Sequence, residues 1–487
     1  MSSRTCILVA SVLSLCNLAQ SFFLQPKWQT RAQQHTRRYQ EHTSSETYLS
    51  YLKSISTLPP GFTVGLTNFT FQPVEVADKT LPMKLTIIKL DSPSSSFAAM
   101  FTSNLCPGGP ILVGKKLLAE SNYVQAIAIN NKISNVCPGG VGDSGFGDSK
   151  QVCEGVAKNL NLESSNLVLP SSTGIIGWRL PVASILTAVP HAVSTLQSDS
   201  VLPAAIGICT TDRYPKVRRH DAVTWSLVGI AKGAGMIEPN MATMLSYLLT
   251  DLDIPKATLQ TMLNKCVKTS FNAISVDGDQ STSDTVVLIS SQKVQPSTQD
   301  LIEFESGLQR VCTNLAEDIV RNGEGTQHVI KIKIEGASSN EVARKIGMQV
   351  INSNLVKCAI AGCDPNVGRI VGAIGSYLGT IDRDSAQLMA QSLCLKIGGY
   401  EIYNDQTFKL DPTTEKTLSD FMLDCQLYPN DLEEEHRTYP PHERVVDIEV
   451  LFRHKDSATR SQMTGTATVV GSDLTKEYVA INADYRS

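Results

Sequence analysis

The sequence predicts a mixed α/β fold, of the α/β or α+β class, because segments with strand patterns and helix patterns interleave throughout. The chain has 487 residues, of which 42% are hydrophobic, as in ordinary soluble globular proteins. A formal net charge of −4 predicts no nucleic-acid partner and no electrostatic membrane contact. Twelve cysteines without a Cys-x-x-Cys pair indicate reduced thiols, and predict neither a disulfide framework nor a metal site.

The predicted elements follow from the spacing of apolar residues. Alternating or continuous apolar runs predict strands at 85–90, 97–101, 124–129, 285–289, 328–334, 445–452 and 465–470. Helical spacing predicts helices at 115–120, 151–160, 308–320 and 385–395. The remaining features are a glycine-rich loop predicted at 362–375 and a polar surface excursion at 430–441.

The N-terminus has the composition of a targeting presequence. An apolar run from Cys6 to Leu18 is too short to span a bilayer, and small residues at 19 and 21 suit signal cleavage before Phe22. The following stretch is basic, and the first acidic residue of the chain is Glu41. We therefore predict a presequence over 1–55, signal-like over 1–21 and transit-like over 22–55, and exclude it from the fold.

The signal-like segment and the basic tract together resemble the bipartite presequences of algae with secondary plastids. That resemblance implies delivery to the plastid stroma and no membrane association of the mature protein. Secretion is an alternative that suits a thiol-rich chain poorly. A mitochondrial presequence is the second alternative, although the apolar run is atypical of one.

The most informative stretch is residues 232–249, KGAGMIEPNMATMLSYLL. It begins with two glycines that permit a turn, and the run from Met244 to Leu249 suits a buried helix or strand. Between them a single hydroxyl, Thr243, follows the small Ala242. From the local pattern alone, Pro239 would begin a helix that has Thr243 in its first turn.

The stretch resembles the self-cleavage site of the ornithine acetyltransferase family, the bifunctional glutamate N-acetyltransferase and amino-acid acetyltransferase of arginine biosynthesis. The resemblance implies scission between Ala242 and Thr243, into an α chain of residues 56–242 and a β chain of residues 243–487. Thr243 becomes the N-terminal nucleophile. An α-amine with an ordinary pKa of about 7.7–8 can act as its base near neutral pH.

A second block, residues 168–177 with the sequence VLPSSTGIIG, resembles the family segment that forms the oxyanion hole. It implies that Thr173 and Gly174 hold the negative oxygen of a tetrahedral intermediate. Taken alone, the same residues also suit an ordinary strand-to-turn connection.

Further family blocks imply substrate-binding residues, each with a plainer alternative such as a surface lysine, a turn carboxylate or a frayed terminus. A lysine suits a substrate carboxylate, and a glutamate suits an amino group. The implied residues are Thr210 or Thr211, Lys232, Thr243, Glu324, Asn482 and Ser487.

The block at residues 270–285 contains Asp277, Asp279 and Asp284, whose spacing departs from that of a calcium-binding loop. We interpret it as a loop that shapes the active site, without assigned roles. Three departures from the family pattern stand out. Residues 130–135 read NNKISN where NSGNAN is expected, Glu238 adds a charge near the scission bond, and Asn322 replaces Asp.

The resemblance implies a two-step acetyl transfer from N2-acetylornithine to glutamate, without a metal or a bound cofactor and with acetyl-CoA as an optional co-substrate. It also implies an α2β2 heterotetramer and a layered fold like that of N-terminal-nucleophile aminopeptidases. One alternative is a hydrolytic aminopeptidase of similar fold. The other is a non-enzymatic descendant that never cleaves itself.

Overall fold

Three β-sheets of four, five and seven strands organise the part of the chain that the computed structural model describes. The described residues are 45–139, 142–238, 244–428, 439, 442–454 and 457–483. Strands and helices interleave along these residues, so the predicted mixed α/β class is confirmed.

The bounds of the elements are as follows. The strands are β1 (Phe62–Phe71), β2 (Leu81–Ser94), β3 (Phe97–Phe101), β4 (Val124–Asn130), β5 (Val168–Ser172), β6 (Lys216–Asp221), β7 (Ser226–Lys232), β8 (Leu245–Leu252), β9 (Ile274–Ser275), β10 (Thr285–Val294), β11 (Val329–Ala337), β12 (Leu393–Ile397), β13 (Tyr400–Asn404), β14 (Thr407–Phe408), β15 (Val446–Phe452) and β16 (Gly465–Ser472). The helices are α1 (Ser45–Ile55), α2 (Gly109–Glu120), α3 (Phe146–Asn159), α4 (Val182–Ser194), α5 (Leu202–Gly207), α6 (Lys256–Thr269), α7 (Thr298–Arg321), α8 (Asn340–Ile351), α9 (Asn354–Ala361), α10 (Val367–Leu378), α11 (Arg383–Ser392), α12 (Pro412–Asp424), α13 (Ser457–Gln462) and α14 (Lys476–Ala483).

Two of the sheets pack face to face. The four-stranded sheet has the order β1-β2-β4-β5 and the five-stranded sheet the order β3-β10-β8-β7-β6. One apolar cluster joins them, and it includes Val64, Ile127, Val228, Tyr247 and Ile289. Helices α3 and α4 cover the outer face of the first sheet, and α6 and α7 cover that of the second. The result is a four-layer α-β-β-α arrangement.

Strand β8 lies inside the five-stranded sheet, parallel to β10 and antiparallel to β7. All eight of its residues are buried, because the first sheet covers one face and helices cover the other. Burial on both faces explains the nearly continuous apolar run that begins at Met244. Of the two structures predicted for that run, the strand is the one observed.

The seven-stranded sheet, of order β14-β13-β12-β15-β11-β16-β9, forms a separate core. Strand β11 lies between β15, to which it is parallel, and β16, to which it is antiparallel. Apolar residues of α8, α10 and α12 pack on this sheet. No helix among the described residues is long and apolar enough to cross a membrane.

Each predicted strand coincides with an observed strand to within one residue or lies inside one. The helices predicted at 115–120, 151–160 and 308–320 are confirmed, with an earlier start in each case. The helix predicted at 385–395 ends at Ser392, where the chain passes into β12. The surface excursion predicted at 430–441 lies outside the described residues except for Tyr439.

The glycine-rich loop predicted at 362–375 is wrong over most of its length, because helix α10 begins at Val367. Its apolar residues Ile370, Ile374 and Leu378 recur at helical spacing and are buried. A Cβ atom at Gly372 or at Gly375 would have no other atom within 4 Å, so these two glycines face open space. Burial of one face therefore outweighs the cost of about 1 kcal/mol for each glycine in a helix.

The predicted start of the fold after residue 55 is also wrong, because α1 belongs to the folded core. Tyr48 and Leu52 are 5% and 0% exposed, in the cluster between the two packed sheets. The Tyr48 ring stacks on Tyr439 with centroids 3.9 Å apart, and its hydroxyl donates to the carbonyl of Pro215. The apolar periodicity of α1 decides its structure, whereas residues 1–44 of the predicted presequence lie outside the described residues.

Candidate active site

Seven of the predicted site residues line one cleft of about 290 Å³. Segments on both sides of the predicted scission bond contribute to it. Those seven are Thr173, Gly174, Thr210, Thr211, Lys232, Glu324 and Asn482. Ala242, Thr243 and Ser487 lie outside the described residues, so their roles stay predictions.

The loop after β5 is pinned against the segment that departs from the family pattern. The amide of Thr173 donates to the Asn130 carbonyl at 3.1 Å, and that of Ile175 donates to the Lys132 carbonyl at 2.8 Å. Gly174 has φ +128°, and a Cβ there would lie 2.2 Å from the Lys132 carbonyl carbon. Glycine is therefore required at 174 by both backbone angle and space.

A buried lysine orients the predicted oxyanion hydroxyl. Lys232 Nζ donates to Thr173 Oγ1 at 3.1 Å, and both residues are almost fully buried. An ammonium group only donates, so the hydroxyl oxygen accepts here and keeps its own hydrogen for another acceptor. Burial lowers the pKa of Lys232, although the carboxylate of Asp212 opposes that shift. The pair can therefore present a polarised O–H donor to a developing negative oxygen.

Asp212 ties together three segments around this lysine. One of its oxygens accepts from Lys216 Nζ at 2.6 Å and from the amide of Gly233 at 2.8 Å, and the other accepts from the amide of Thr210 at 3.1 Å. Burial by itself raises the pKa of Asp212, but the charges of Lys216 and Lys232 outweigh it and lower the pKa to about 2. Asp212 therefore remains ionised and fixes the wall of the cleft.

We expect Asp212 to stabilise the fold at neutral pH. Because its folded pKa of about 2 lies below the ordinary 3.8, its contribution is complete above pH 3.8 and is lost as pH falls toward 2. The shift corresponds to about 2 kcal/mol. Denaturant unfolding of Asp212→Asn should show a loss of at least that size at pH 7 and a flatter pH dependence between 4 and 2. The exposed Asp78→Asn is the control, and an equal response of both variants would contradict the prediction.

Glu324 and Asn482 also line the cleft and contact each other. The amide of Glu324 donates to the Ala234 carbonyl at 2.8 Å, and Asn482 Nδ2 donates to Glu324 Oε2 at 3.0 Å. A Cβ at Gly235 would lie 2.5 Å from that same carboxylate oxygen. The glycine therefore lets the carboxylate approach the backbone, where it suits a substrate ammonium group.

The two smaller departures from the family pattern have local partners. Asn322 Oδ1 accepts from the amides of Arg213 and Tyr214 at 3.1 and 3.3 Å, contacts that an aspartate could also make. Asn352 Nδ2 donates to Glu238 Oε1 at 3.2 Å. Partial burial, with the nearby charges of two aspartates, raises the pKa of Glu238.

Two aspartates of the loop at 270–285 hold the chain on either side of residues 239–243. Asp277 accepts from the amides of Met236 and Ile237 at 2.7 and 2.8 Å, and Asp284 accepts from the amide of Met244 at 2.9 Å. Sequence reasoning placed this loop at the site but did not find these contacts, since each spans about forty residues. No group of three or more potential ligands among the described residues could hold a metal ion.

Asp284 is a buried residue that accepts a hydrogen bond from the amide of Met244, the residue that directly follows the predicted nucleophile. It is 0% exposed, and its second oxygen, Oδ2, has no hydrogen-bond partner among the described residues. Burial raises the pKa of Asp284 far above its ordinary value, although the amide of Met244 and the charge of Lys232 oppose that shift. Burial therefore favours the neutral form of the carboxyl group that anchors this amide.

Asp284→Asn is expected to keep self-cleavage, because the side-chain amide oxygen of asparagine can accept the same hydrogen bond from the Met244 amide. Asp284→Ala should cleave at least about tenfold more slowly, since it leaves a buried amide unpaired at a cost of about 1–3 kcal/mol. Gel analysis of freshly translated protein over time measures both rates. Failure of the asparagine variant to cleave, while it still folds, would show that the ionisable group itself is needed.

Comparison with known proteins agrees with these motifs. The ArgJ family model matches residues 72–487. "Arginine biosynthesis bifunctional protein ArgJ 2" of Clostridium acetobutylicum is 36% identical over 392 residues, 80% of this chain and 90% of the relative. The protein named "Arginine biosynthesis bifunctional protein ArgJ, mitochondrial" in Neosartorya fischeri is 32% identical over 457 residues, 90% of this chain and 94% of the relative.

Among solved structures, the arginine biosynthesis bifunctional protein ArgJ of Bacillus halodurans is 29% identical, covering 50% of this chain and all of that chain, with a TM-score of 0.40. The family match spans most of the chain, and the curated relatives are covered over nine-tenths of their length or more. The chain therefore belongs to the ArgJ family, the arginine-biosynthesis acetyltransferases whose motifs its sequence resembles.

Proposed function

We propose that the chain cleaves itself before Thr243 and then moves acetyl from N2-acetylornithine to glutamate through an acetyl-threonine intermediate. The observation that carries the proposal is the cleft in which Lys232 donates to the hydroxyl of Thr173 and which the side chain of Glu324 also lines. Acetyl-CoA is proposed as a second donor that enters as a substrate, which the word "bifunctional" in the relatives' names supports. No metal and no bound cofactor take part.

The chemistry needs a nucleophile, a base and donors for a negative oxygen. The Thr243 hydroxyl attacks the acetyl carbonyl while its α-amine takes the proton, and a C–O bond forms. The tetrahedral oxygen accepts hydrogen bonds at Thr173 and Gly174. Collapse breaks the C–N bond, and the amine passes its proton to the departing ornithine. Glutamate then attacks the acetyl ester by the reverse sequence and restores the hydroxyl.

The charges of the cleft suit amino-acid substrates. A lysine side chain suits a substrate carboxylate and a glutamate side chain suits an ammonium group, so Lys232 and Glu324 can together orient a zwitterion. Both belong to well-fixed segments, through Asp212 on one side and Asn482 on the other. Such positioning lowers the entropic cost of bringing the reacting groups together.

The test is mass spectrometry of the purified protein, with and without acetylornithine. We expect two chains, one beginning at Thr243, and the gain of one acetyl group on that chain alone when acetylornithine is added without glutamate. Glutamate should then remove the acetyl group as N-acetylglutamate. An uncleaved active protein, or release of free acetate as the main product in the presence of glutamate, would overturn the proposal.

We further propose that two α and two β chains assemble as an α2β2 heterotetramer. The five-stranded sheet supports the lasting association of α with β, since two strands that follow the scission bond lie between strands that precede it. Size-exclusion chromatography with light scattering should give a mass of two cleaved precursors. A mass of one precursor would contradict the tetramer and leave the chemistry intact.

We propose that the protein is delivered to the plastid, because its presequence has the composition of a plastid-targeting segment. Two fungal relatives carry "mitochondrial" in their names, which supports the mitochondrial alternative. Because α1 belongs to the fold, residues 1–44 should direct a fluorescent fusion as well as residues 1–55 do. Microscopy in an alga with secondary plastids should show plastid fluorescence for both fusions. Mitochondrial fluorescence of both would decide for the alternative.

A further inference from the structure

A second cleft, of about 380 Å³, adjoins the candidate active site. The two clefts share four lining residues, Gly174, Ile175, Thr210 and Thr211. They therefore meet at the loop that carries the predicted oxyanion residues. A substrate whose acetyl carbonyl lies at Gly174 has space to extend into the second cleft.

The lining of this second cleft is positively charged. Lys84 and Lys132 belong to it, and no acidic residue does among the described residues that line it. Hydrogen bonds connect the segments of this wall: the amide of Lys84 donates to Asn131 Oδ1 at 2.7 Å, and Asn131 Nδ2 donates to the Cys209 carbonyl at 3.0 Å. Lys84 Nζ donates to the Ile206 carbonyl at 3.1 Å, which fixes its charge near the cleft.

Lys132 is the unusual member of the pair. Its φ of +75° lies in the left-handed region, where a residue with a side chain costs about 1 kcal/mol or more. Its carbonyl holds the amide of Ile175, so the backbone cannot relax without moving the oxyanion loop. Its ammonium group has no ion-pair or hydrogen-bond partner among the described residues. Glycine would satisfy the backbone without strain, so a strained cation at this position points to a function of its charge.

We propose that the second cleft is an anion subsite, in which Lys132 and Lys84 bind a negatively charged part of the substrate that extends past Gly174. The inference rests on the proposed acetyl transfer. Two of the proposed substrates carry such a negatively charged group. The acceptor glutamate carries a side-chain carboxylate, and the donor acetyl-CoA carries phosphates on a long tail.

Lys132→Gly separates binding from folding, because it removes the charge and relieves the backbone. The variant should unfold at the same denaturant concentration as the parent or a higher one. Its KM for one anionic substrate should rise about threefold or more at low salt, with kcat little changed. Lys132→Arg should behave like the parent, and the exposed Lys345→Ala on α8 is the control for a general loss of positive charge.

Two KM measurements show which substrate supplies the anion. One is KM for glutamate with acetylornithine as donor, and the other is KM for acetyl-CoA with glutamate in excess. A rise for glutamate alone assigns the subsite to the carboxylate, and a rise for acetyl-CoA alone assigns it to the phosphates. Calorimetric binding of CoA and of glutamate to the parent and to Lys132→Gly needs no turnover, and so tests the subsite even if acetyl transfer fails. Unchanged KM values together with equal binding of both ligands would overturn the subsite.

Discussion

Thr243→Ala is expected to remain a single chain and to transfer no acetyl group. The variant lacks the hydroxyl that attacks first the preceding peptide bond and later the acetyl carbonyl, and without scission it also lacks the α-amine base. Mass spectrometry of the purified variant, followed by the acetylornithine–glutamate assay, measures both losses. The expected effect is complete within detection, the largest that any single change in this chain should have.

Two companion variants make that result interpretable. Thr243→Ser keeps a hydroxyl and should cleave and retain partial activity. Thr269→Ala removes an exposed hydroxyl at the end of α6 and should leave both cleavage and transfer unchanged. Cleavage of Thr243→Ala at the same bond would assign the attacking group to another residue, and activity in an uncut chain would remove the N-terminal amine from the mechanism.

Thr173→Val is expected to lower kcat by about 10²–10³, the usual effect of removing one oxyanion-hole donor. Valine has nearly the shape of threonine, so the packing beside Lys232 should persist while the O–H donor is lost. KM for acetylornithine should change little, because the donor acts on a charge that develops only in the transition state. Steady-state kinetics on fully cleaved protein measures the change.

The matched control is Thr261→Val, which removes a hydroxyl from the exposed face of α6. If Thr173→Val fails to cleave itself, transfer should be measured on α and β chains produced separately and refolded together. A loss in kcat smaller than about tenfold would contradict the oxyanion role. A large rise in KM alone would instead assign Thr173 to ground-state substrate binding.

Much of the fold could be predicted because apolar spacing dominates it. Strand β3 has the predicted bounds, and the run after Thr243 is a buried strand because both of its faces are covered. The errors have the same physical origin. At α10 the prediction gave glycine more weight than the buried face of Ile370 and Ile374. At α1 the prediction extended the presequence from the basic residues upstream into an amphipathic helix, which packs Leu52 into the core.

The residues of the candidate site could also be predicted from the family motifs in the sequence, since seven of them line one cleft. The hydrogen bonds that hold the walls of that cleft in place could not be predicted. Asp284 reaches Met244 and Asp212 reaches Gly233 across long stretches of chain, and no local spacing encodes such contacts. The left-handed backbone conformation of Lys132 is likewise seen only in the structure, because lysine is not a residue type that indicates a positive φ.

The order of strands in the five-stranded sheet constrains how the protein is made. Strands β8 and β10 follow the predicted scission bond, yet they lie between β3 and β7, which precede it. A β chain synthesised alone would contain β8 paired with β10, but the edges of these strands that pair with β7 and β3 would be open, a form that is prone to aggregation. For the scission that we propose, we therefore expect folding to come first, with the sheet assembled in the uncut precursor. In the proposed maturation, the peptide bond before Thr243 would bring both halves to one sheet in equal number, and the paired strands would hold them together after it is cut.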